Sequence, residues 1–406
     1  MASDTLALAG LSIIETGHSV SAAYATKLLA DLGADVVKVE DPGGQGDETR
    51  RIGPFPEDEP HLEKSGLFLY LNANKRGVTL DITKAAGRSI FDRLVRSADV
   101  VVYDYPPSVA EELELNHSKL SEFNARVISL SLTPYGETGP YRDLNAYELN
   151  TASLAGVPLS LGSADREPLY PANFFGQFQC GLVGALGIML AVTRRSVSGI
   201  GQHIDVSEAD TWATFHTGGG IVSWLFSGRR TLRRGQRSPG VGYPFTILPC
   251  KDGYFRLLAM TKREWRRALV AMGSPAWGDD PRFQDRLKMN ELYADELDAL
   301  LEPWLMSHTK AELFRICYEH GVPFAPINNV HDVVDGPRMT ADEFFIDIDH
   351  PEAGTFKYPR PPFTFSQTPW QIRRPAPLLG QHNDEVFGSL PGYSDERDGL
   401  ATAGII

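Results

Sequence analysis

A chain of 406 residues with 42% hydrophobic and 22% charged residues can bury a large core and has room for two domains. Its 52 acidic residues against 39 basic ones give a formal net charge of −13. That balance disfavours general binding to nucleic acid or an anionic membrane, and it requires any polyanionic ligand to be held by a local basic pocket.

In chain order, residues 11–15 read as a buried strand, 21–32 as a helix that Gly33 terminates, and 35–39 as a second apolar strand. Residues 77–81, 99–103 and 126–132 read as further strands, with a helix over 85–95. Strands spaced by amphipathic helices imply βαβ units and a parallel sheet, in which ligands gather at the carboxyl ends of strands near helix N-termini. The longest apolar run, 180–192, is roughly 13 residues, short of the ~18 a transmembrane helix needs, and reads as a core helix. Residues 227–242 are rich in Gly, Arg and Ser and read as a linker, along which Arg229, Arg230, Arg233, Arg234 and Arg237 are expected to be solvated, the alternative being a basic cluster that faces phosphates or a partner subunit. Beyond it, two apolar runs flank Asp252-Gly253, a hairpin signal, and helical patterns cover 262–272, 295–306 and 310–320. The expected domains are a large α/β domain over 1–227, a small α+β domain over 228–330, and a C-terminal segment over 331–406 that returns to the first.

Cys180, Cys250 and Cys317 show no CxxC spacing, so neither a disulfide framework nor a zinc site is indicated. His18, His203, His216 and His382 have no HxH or HxxxH spacing, and no metal is expected. The N-terminus lacks the basic region of a signal peptide, and a cytoplasmic location is expected.

Several phrases stand in order along the chain: LLADLGADVVKVEDPGGQGDETR (28–50), LNANKRGVTLDI (71–82), SLTPYGETGPY (131–141) and GIGQHIDVSEAD (199–210). They are followed by VPFAPINNVHDVVDGPRM, DHPEAGTFKYPRPPF and RRPAPLLGQHNDEV. Together they resemble the class III CoA-transferases, the CaiB/BaiF family. The resemblance implies a Rossmann-like parallel-sheet large domain closed by the C-terminal segment, a smaller inserted α+β domain, and an interlocked dimer. It implies transfer of coenzyme A from an acyl-CoA donor to a carboxylic acid acceptor, with the coenzyme A thioester as substrate and no tightly bound cofactor. The path runs through an acyl anhydride and an enzyme-bound CoA thioester.

The family's aspartyl nucleophile lies in a phrase that here reads AYELNTASLAG (146–156), which places Glu148 at that position. Its carboxylate is chemically equivalent, but one methylene longer. By the same resemblance Asn74, Lys75 and Arg76 are adenosine-side contacts, and Arg50 belongs to the phosphate-side loop around 42–46. Tyr135 and Gly136 are expected to shape the pocket floor, where Gly lets backbone approach closely.

Two phrases depart from the family pattern. Ser21, Ala22 and Ala23 replace an AGP phrase, and 104–108 (DYPPS) replaces an Arg-bearing coenzyme-contacting turn with an acidic one. These departures suit an alternative, a non-catalytic subunit paired with a related active chain. An acyl-CoA racemase would place His-Asp where Tyr147-Glu148 stands, and a Rossmann oxidoreductase would need a Gly-rich turn where only Gly17 occurs. Phe174, Phe175, Phe178 and Trp224 read as core rather than as an acyl pocket, and neither substrate acid is legible.

Overall fold

The computed structural model describes residues 6–43, 45–171, 173–216, 220–229, 233, 235, 237 and 240–406. They form two compact units. One is Met1–Val157 with Tyr170–Gly228 and Phe345–Ile406; the other is Pro158–Leu169 with Arg229–Phe344, where the sequence reading drew 228–330.

The first unit is built on a six-stranded sheet of β1 (Ser12–Glu15), β2 (Asp35–Glu40), β3 (Arg76–Thr79), β4 (Val100–Tyr103), β5 (Ile128–Thr133) and β6 (His203–Ser207). All neighbours pair in parallel, in the order β3-β2-β1-β4-β5-β6. Strands covered on both faces carry near-continuous apolar runs, and Val100 to Tyr103 are all buried. One face packs Ile13, Val36, Val100, Val102, Ile128 and Leu130 against helices α1 (Val20–Ala30) and α7 (Phe175–Ser198). Between these come α2 (Gly66–Asn72), α3 (Ala85–Val95), α4 (Pro107–Glu112), α5 (His117–Phe123) and α6 (Glu148–Leu154). The opposite face packs Ile14, Val37, Val101 and Tyr103 against Ile90, Phe91 and Leu94 of α3 and against Val386, Phe387, Tyr393 and Leu400 of the C-terminal segment. That segment also carries an antiparallel pair, β10 (Phe345–His350) with β11 (Gly354–Pro359).

Helix α7 is 24 residues, not the 13 of its apolar run, because polar residues continue it at both ends. By length and composition it could cross a membrane, with a mean hydropathy of 1.6 over 18 residues. Cys180, Ala185, Ile188 and Ala191 nevertheless bury one side of it in the sheet core. It lies close on α1, since a Cβ on Gly181 would stand 2.6 Å from the Ser21 carbonyl. Its other side exposes Leu182, Leu186, Leu190 and Val197.

The second unit holds an antiparallel sheet of β7 (Phe245–Cys250), β8 (Gly253–Leu258) and β9 (Ala325–Ile327), with helices that include Lys262–Ala271, Ala294–Met306 and Lys310–His320. Phe255, Leu257, Trp265, Leu297, Leu301 and Leu313 sit in its core. The arginines expected to be solvated are partly tied down here, which corrects that reading. Arg233 donates to the Ser163 and Arg166 carbonyls at 3.0 Å, and Arg237 pairs with Asp295 at 2.6 Å and with Asp298. Arg229 is exposed, while Arg230 and Arg234 lie outside the described residues.

Candidate active site

The strand order reverses between β1 and β4, the place where open parallel sheets receive ligands. A cavity of about 440 Å³ opens there, lined by Ser19 and Ser21 after β1, Asp104 and Pro106 after β4, and Leu132 to Pro134 at the end of β5. Ala146, Tyr147, Gln177, Cys180 and Glu208 complete its wall. Among the described residues, no group of three or more His, Cys, Asp or Glu side chains is placed to hold a metal ion.

Three residues matched to coenzyme contacts by sequence have their hydrogen-bonding groups engaged inside the protein. Lys75 gives its three ammonium donors to Glu15 Oε2 at 2.8 Å, the Ala23 carbonyl at 2.8 Å and Asn72 Oδ1 at 2.9 Å. Burial pulls its pKa down to about 8. Arg50 spends its guanidinium on Glu40 (2.7 and 2.8 Å), Glu63 (2.6 Å) and the Leu62 and Pro377 carbonyls, with its plane over the Phe68 ring at 3.7 Å. Asn74, at φ +69°, donates to Asp31 and the Gln371 carbonyl at 2.8 Å and accepts from the Arg373 amide at 2.6 Å. Arg76 is the more accessible of the group, its side chain 19% exposed and paired with Asp35 and Glu385.

Burying charge is tolerable only when it is paired and fully hydrogen-bonded. The strand ends meet that condition as a network. Lys38 on β2 donates to Glu15 at 2.6 Å and the Gly17 carbonyl at 3.1 Å, and its ammonium is paired in charge with Asp47 at 2.6 Å. Burial alone would raise the Glu15 carboxyl; Lys38 and Lys75 reverse that and hold it down to about 2. This network anchors the carboxyl ends of β1 and β2 beside the cavity.

Tyr135 and Gly136 follow β5 directly after the cavity-lining Pro134. Gly136 has φ +81°, the left-handed region that favours glycine, and its amide donates to Thr133 Oγ1 at 2.9 Å. Tyr135 meets the Tyr141 ring at a tilt of 57°, with the ring centroids 5.7 Å apart.

The start of α1 is occupied from within. The Asp104 carboxylate accepts the His18 amide at 2.9 Å and the Ser19 amide at 2.6 Å, two donors that lead into α1. The acidic turn legible in the sequence thus has a structural partner that the sequence does not reveal.

Glu148 is the first residue of α6 and 7% exposed. Its carboxylate accepts the backbone amide of Gly176 in the first turn of α7. Burial raises its pKa, while the amides of Gly176, Gln177 and Phe174 and the Tyr170 hydroxyl favour its charged form. Phe175 and Trp224, read as core, are exposed.

One residue escaped the sequence reading. Glu208 opens α8 (Glu208–Phe215) immediately after β6, with Ser207 capping the helix by accepting the Asp210 amide at 3.1 Å. It is 6% exposed, lines the cavity, and lies 2.5 Å from the Thr151 hydroxyl oxygen. Burial, reinforced by the Glu148 charge, pushes its carboxyl up to about 7. Its signal was an acid at a strand-to-helix junction, in a phrase otherwise used only for its resemblance.

The profile of CoA-transferase family III matches residues 8–383. The chain is 29% identical over 385 residues to the succinate–glutarate CoA-transferase of Agrobacterium fabrum, across 94% of this chain and 95% of that one. It is 30% identical over 397 residues to the succinyl-CoA–L-malate CoA-transferase beta subunit of Chloroflexus aurantiacus, across 97% and 96%. The crystal structure of a CaiB/BaiF family protein from Brucella suis matches with a TM-score of 0.85 at 28% identity, over 95% of this chain and all of that one. With its ordered motifs and its cavity at the reversal of a parallel sheet, the chain belongs to CoA-transferase family III.

Proposed function

We propose that the protein moves coenzyme A from an acyl-CoA donor to a carboxylic acid acceptor with Glu148 as nucleophile. The Glu148 carboxylate attacks the thioester carbonyl; a C–O bond forms, the C–S bond breaks, and the thiolate leaves with the electron pair. The thiolate then attacks the glutamyl carbonyl of the anhydride, expelling the donor acid as a carboxylate and leaving a glutamyl-CoA thioester. An acceptor carboxylate runs the same steps in reverse and leaves as its own CoA thioester. The observation that carries this reading is the placement of Glu148: a buried carboxylate on a backbone amide at a helix start, in the residue next to the cavity wall. Amides so placed suit an oxyanion developing on the same carbonyl. Tyr135, Gly136 and Arg76 are the matched residues we propose to face the coenzyme, whereas Asn74, Lys75 and Arg50 serve it by fixing the strand ends. Mass spectrometry after incubation with a panel of acyl-CoA thioesters, with hydroxylamine or borohydride trapping, should mark Glu148. Turnover with an unlabelled Glu148 peptide refutes the nucleophile.

A specific observation favours the second reading, a non-catalytic subunit of a heteromer: the Asp104 carboxylate sits on the His18 and Ser19 amides just before α1, placing negative charge beside the cavity. The Chloroflexus relative is itself named as a subunit. Assaying the chain expressed alone separates the two readings, because a non-catalytic subunit transfers nothing without its partner. An interlocked dimer is proposed with either, supported by the exposed leucines of α7. A cytoplasmic setting is proposed as well, in keeping with three buried free cysteines.

A further inference from the structure

The Thr151 hydroxyl oxygen lies 2.9 Å from the Glu148 carbonyl and 2.5 Å from Glu208 Oε1, in geometry suited to a hydrogen bond with each. A hydroxyl has one proton to give. If it goes to the Glu148 carbonyl, which can only accept, the bond to Glu208 must be made by a proton on Glu208. Both contacts are satisfied together only when Glu208 is a neutral carboxylic acid. We propose that Glu208 is the positioning residue for Glu148, acting as a neutral acid that donates to Thr151 while Thr151 holds the first carbonyl of α6. The proposal rests on the reading of Glu148 as nucleophile.

The surroundings agree with this state. The groups that face Glu208 are Glu148 and Thr151 on α6, Cys180 on α7, the Tyr170 hydroxyl and, on its own helix, Trp212. Asp104 acts on the same Cys180 thiol. None of these is a cation. Arg142, the cation lining the same cavity, is turned to Glu111 at 2.6 Å and Asp143 at 3.1 Å. Burial and the Glu148 charge both favour the neutral form, and the carboxyl stands at about 7. When Glu208 ionises, Thr151 turns its proton to the new carboxylate and releases the α6 carbonyl. A second anion then stands near Glu148.

The test is an infrared titration of the whole protein alongside a pH–rate profile. A carboxylic-acid carbonyl band should persist at pH about 6 and vanish with a midpoint near 7. It should be missing from Glu208→Gln, and its midpoint should be displaced in Thr151→Val, which removes the partner of Glu208 in either protonation state. In wild type kcat should fall about tenfold per pH unit above that midpoint. Glu208→Ala should lose at least about tenfold below that midpoint, and Glu208→Gln should recover most of that loss with the alkaline fall gone. The proposal is overturned if no such band exists, if Thr151→Val leaves it unmoved, or if Glu208→Gln keeps the wild-type alkaline fall. The infrared arm needs no substrate, so it decides the state of Glu208 even if trapping shows that Glu148 is not the nucleophile.

Discussion

The ammonium of Lys75 lies 2.8 Å from Glu15 Oε2, and both side chains are fully enclosed. Lys75 therefore ties the segment before β3 to the end of β1 and has no donor left for a phosphate. Lys75→Met leaves Glu15 with Lys38 and the Thr26 hydroxyl and abandons the Ala23 carbonyl and Asn72. Removing one partner of a buried ionic network costs about 3–5 kcal/mol. The urea midpoint should fall accordingly, while KM for acyl-CoA in the folded remainder moves by less than about threefold. A coenzyme-contacting lysine would give the reverse, a raised KM at an unchanged midpoint.

The same network sets an acid limit. Glu15 is held at about 2 against an ordinary 4.5, a depressed carboxyl. Its contribution is present above 4.5 and is lost as pH falls from 4.5 toward about 2, amounting to about 3 kcal/mol over that span. Unfolding free energies from urea titrations at a series of pH values below 5 should show this slope, and Glu15→Gln should flatten it on a lower baseline.

Glu148→Ala should abolish turnover, a loss of at least about a thousandfold in kcat, because no other carboxyl is seated on the Gly176 amide. Glu148→Asp shortens the reach by one methylene and should keep or raise kcat. Steady-state rates with circular dichroism as a folding control decide the matter, and an Ala variant as active as wild type removes the nucleophile.

The sheet was legible because strands buried on both faces announce themselves: Val36-Val37 and residues 100–103 are apolar without alternation, and the observed strands begin within one residue of the expected 35–39 and 99–103. The roles of Lys75 and Arg50 were not legible. A lysine looks the same in sequence whether it meets phosphate or a carboxylate 60 residues away, and only the fold brings Glu15 and Glu40 to them. Helix α7 was underestimated because hydropathy ends at polar residues while helical hydrogen bonding continues through Thr193, Arg194 and Arg195. Glu208 went unnoticed because its character comes from burial and from Glu148, neither of which is local.

Asp104 should oppose coenzyme binding. Its charge sits on the His18 and Ser19 amides just before α1, and an incoming phosphate near the cavity meets it as a like charge. Asp104→Asn keeps an oxygen acceptor for His18 and Ser19 while removing the charge. The expected result is a several-fold lower Kd for acyl-CoA by calorimetry, with a stability loss of about 1 kcal/mol at most. An unchanged or higher Kd would place the coenzyme's phosphates away from α1.

The outer side of α7 makes a separate demand. Leu182, Leu186 and Leu190 recur at helical spacing and are 49%, 59% and 63% exposed, a continuous apolar strip on a helix whose inner side is already in the core. Burying one leucine from water is favourable by about 1.5–3 kcal/mol, so a partner that covers three of them gains strongly, and a charge in their midst forfeits that gain. Leu186→Glu should therefore convert the proposed dimer to a monomer by sedimentation while the isolated chain keeps its far-ultraviolet dichroism, since position 186 adds nothing to the core. A Leu186→Glu protein that still sediments as a dimer would place the subunit contact on another face.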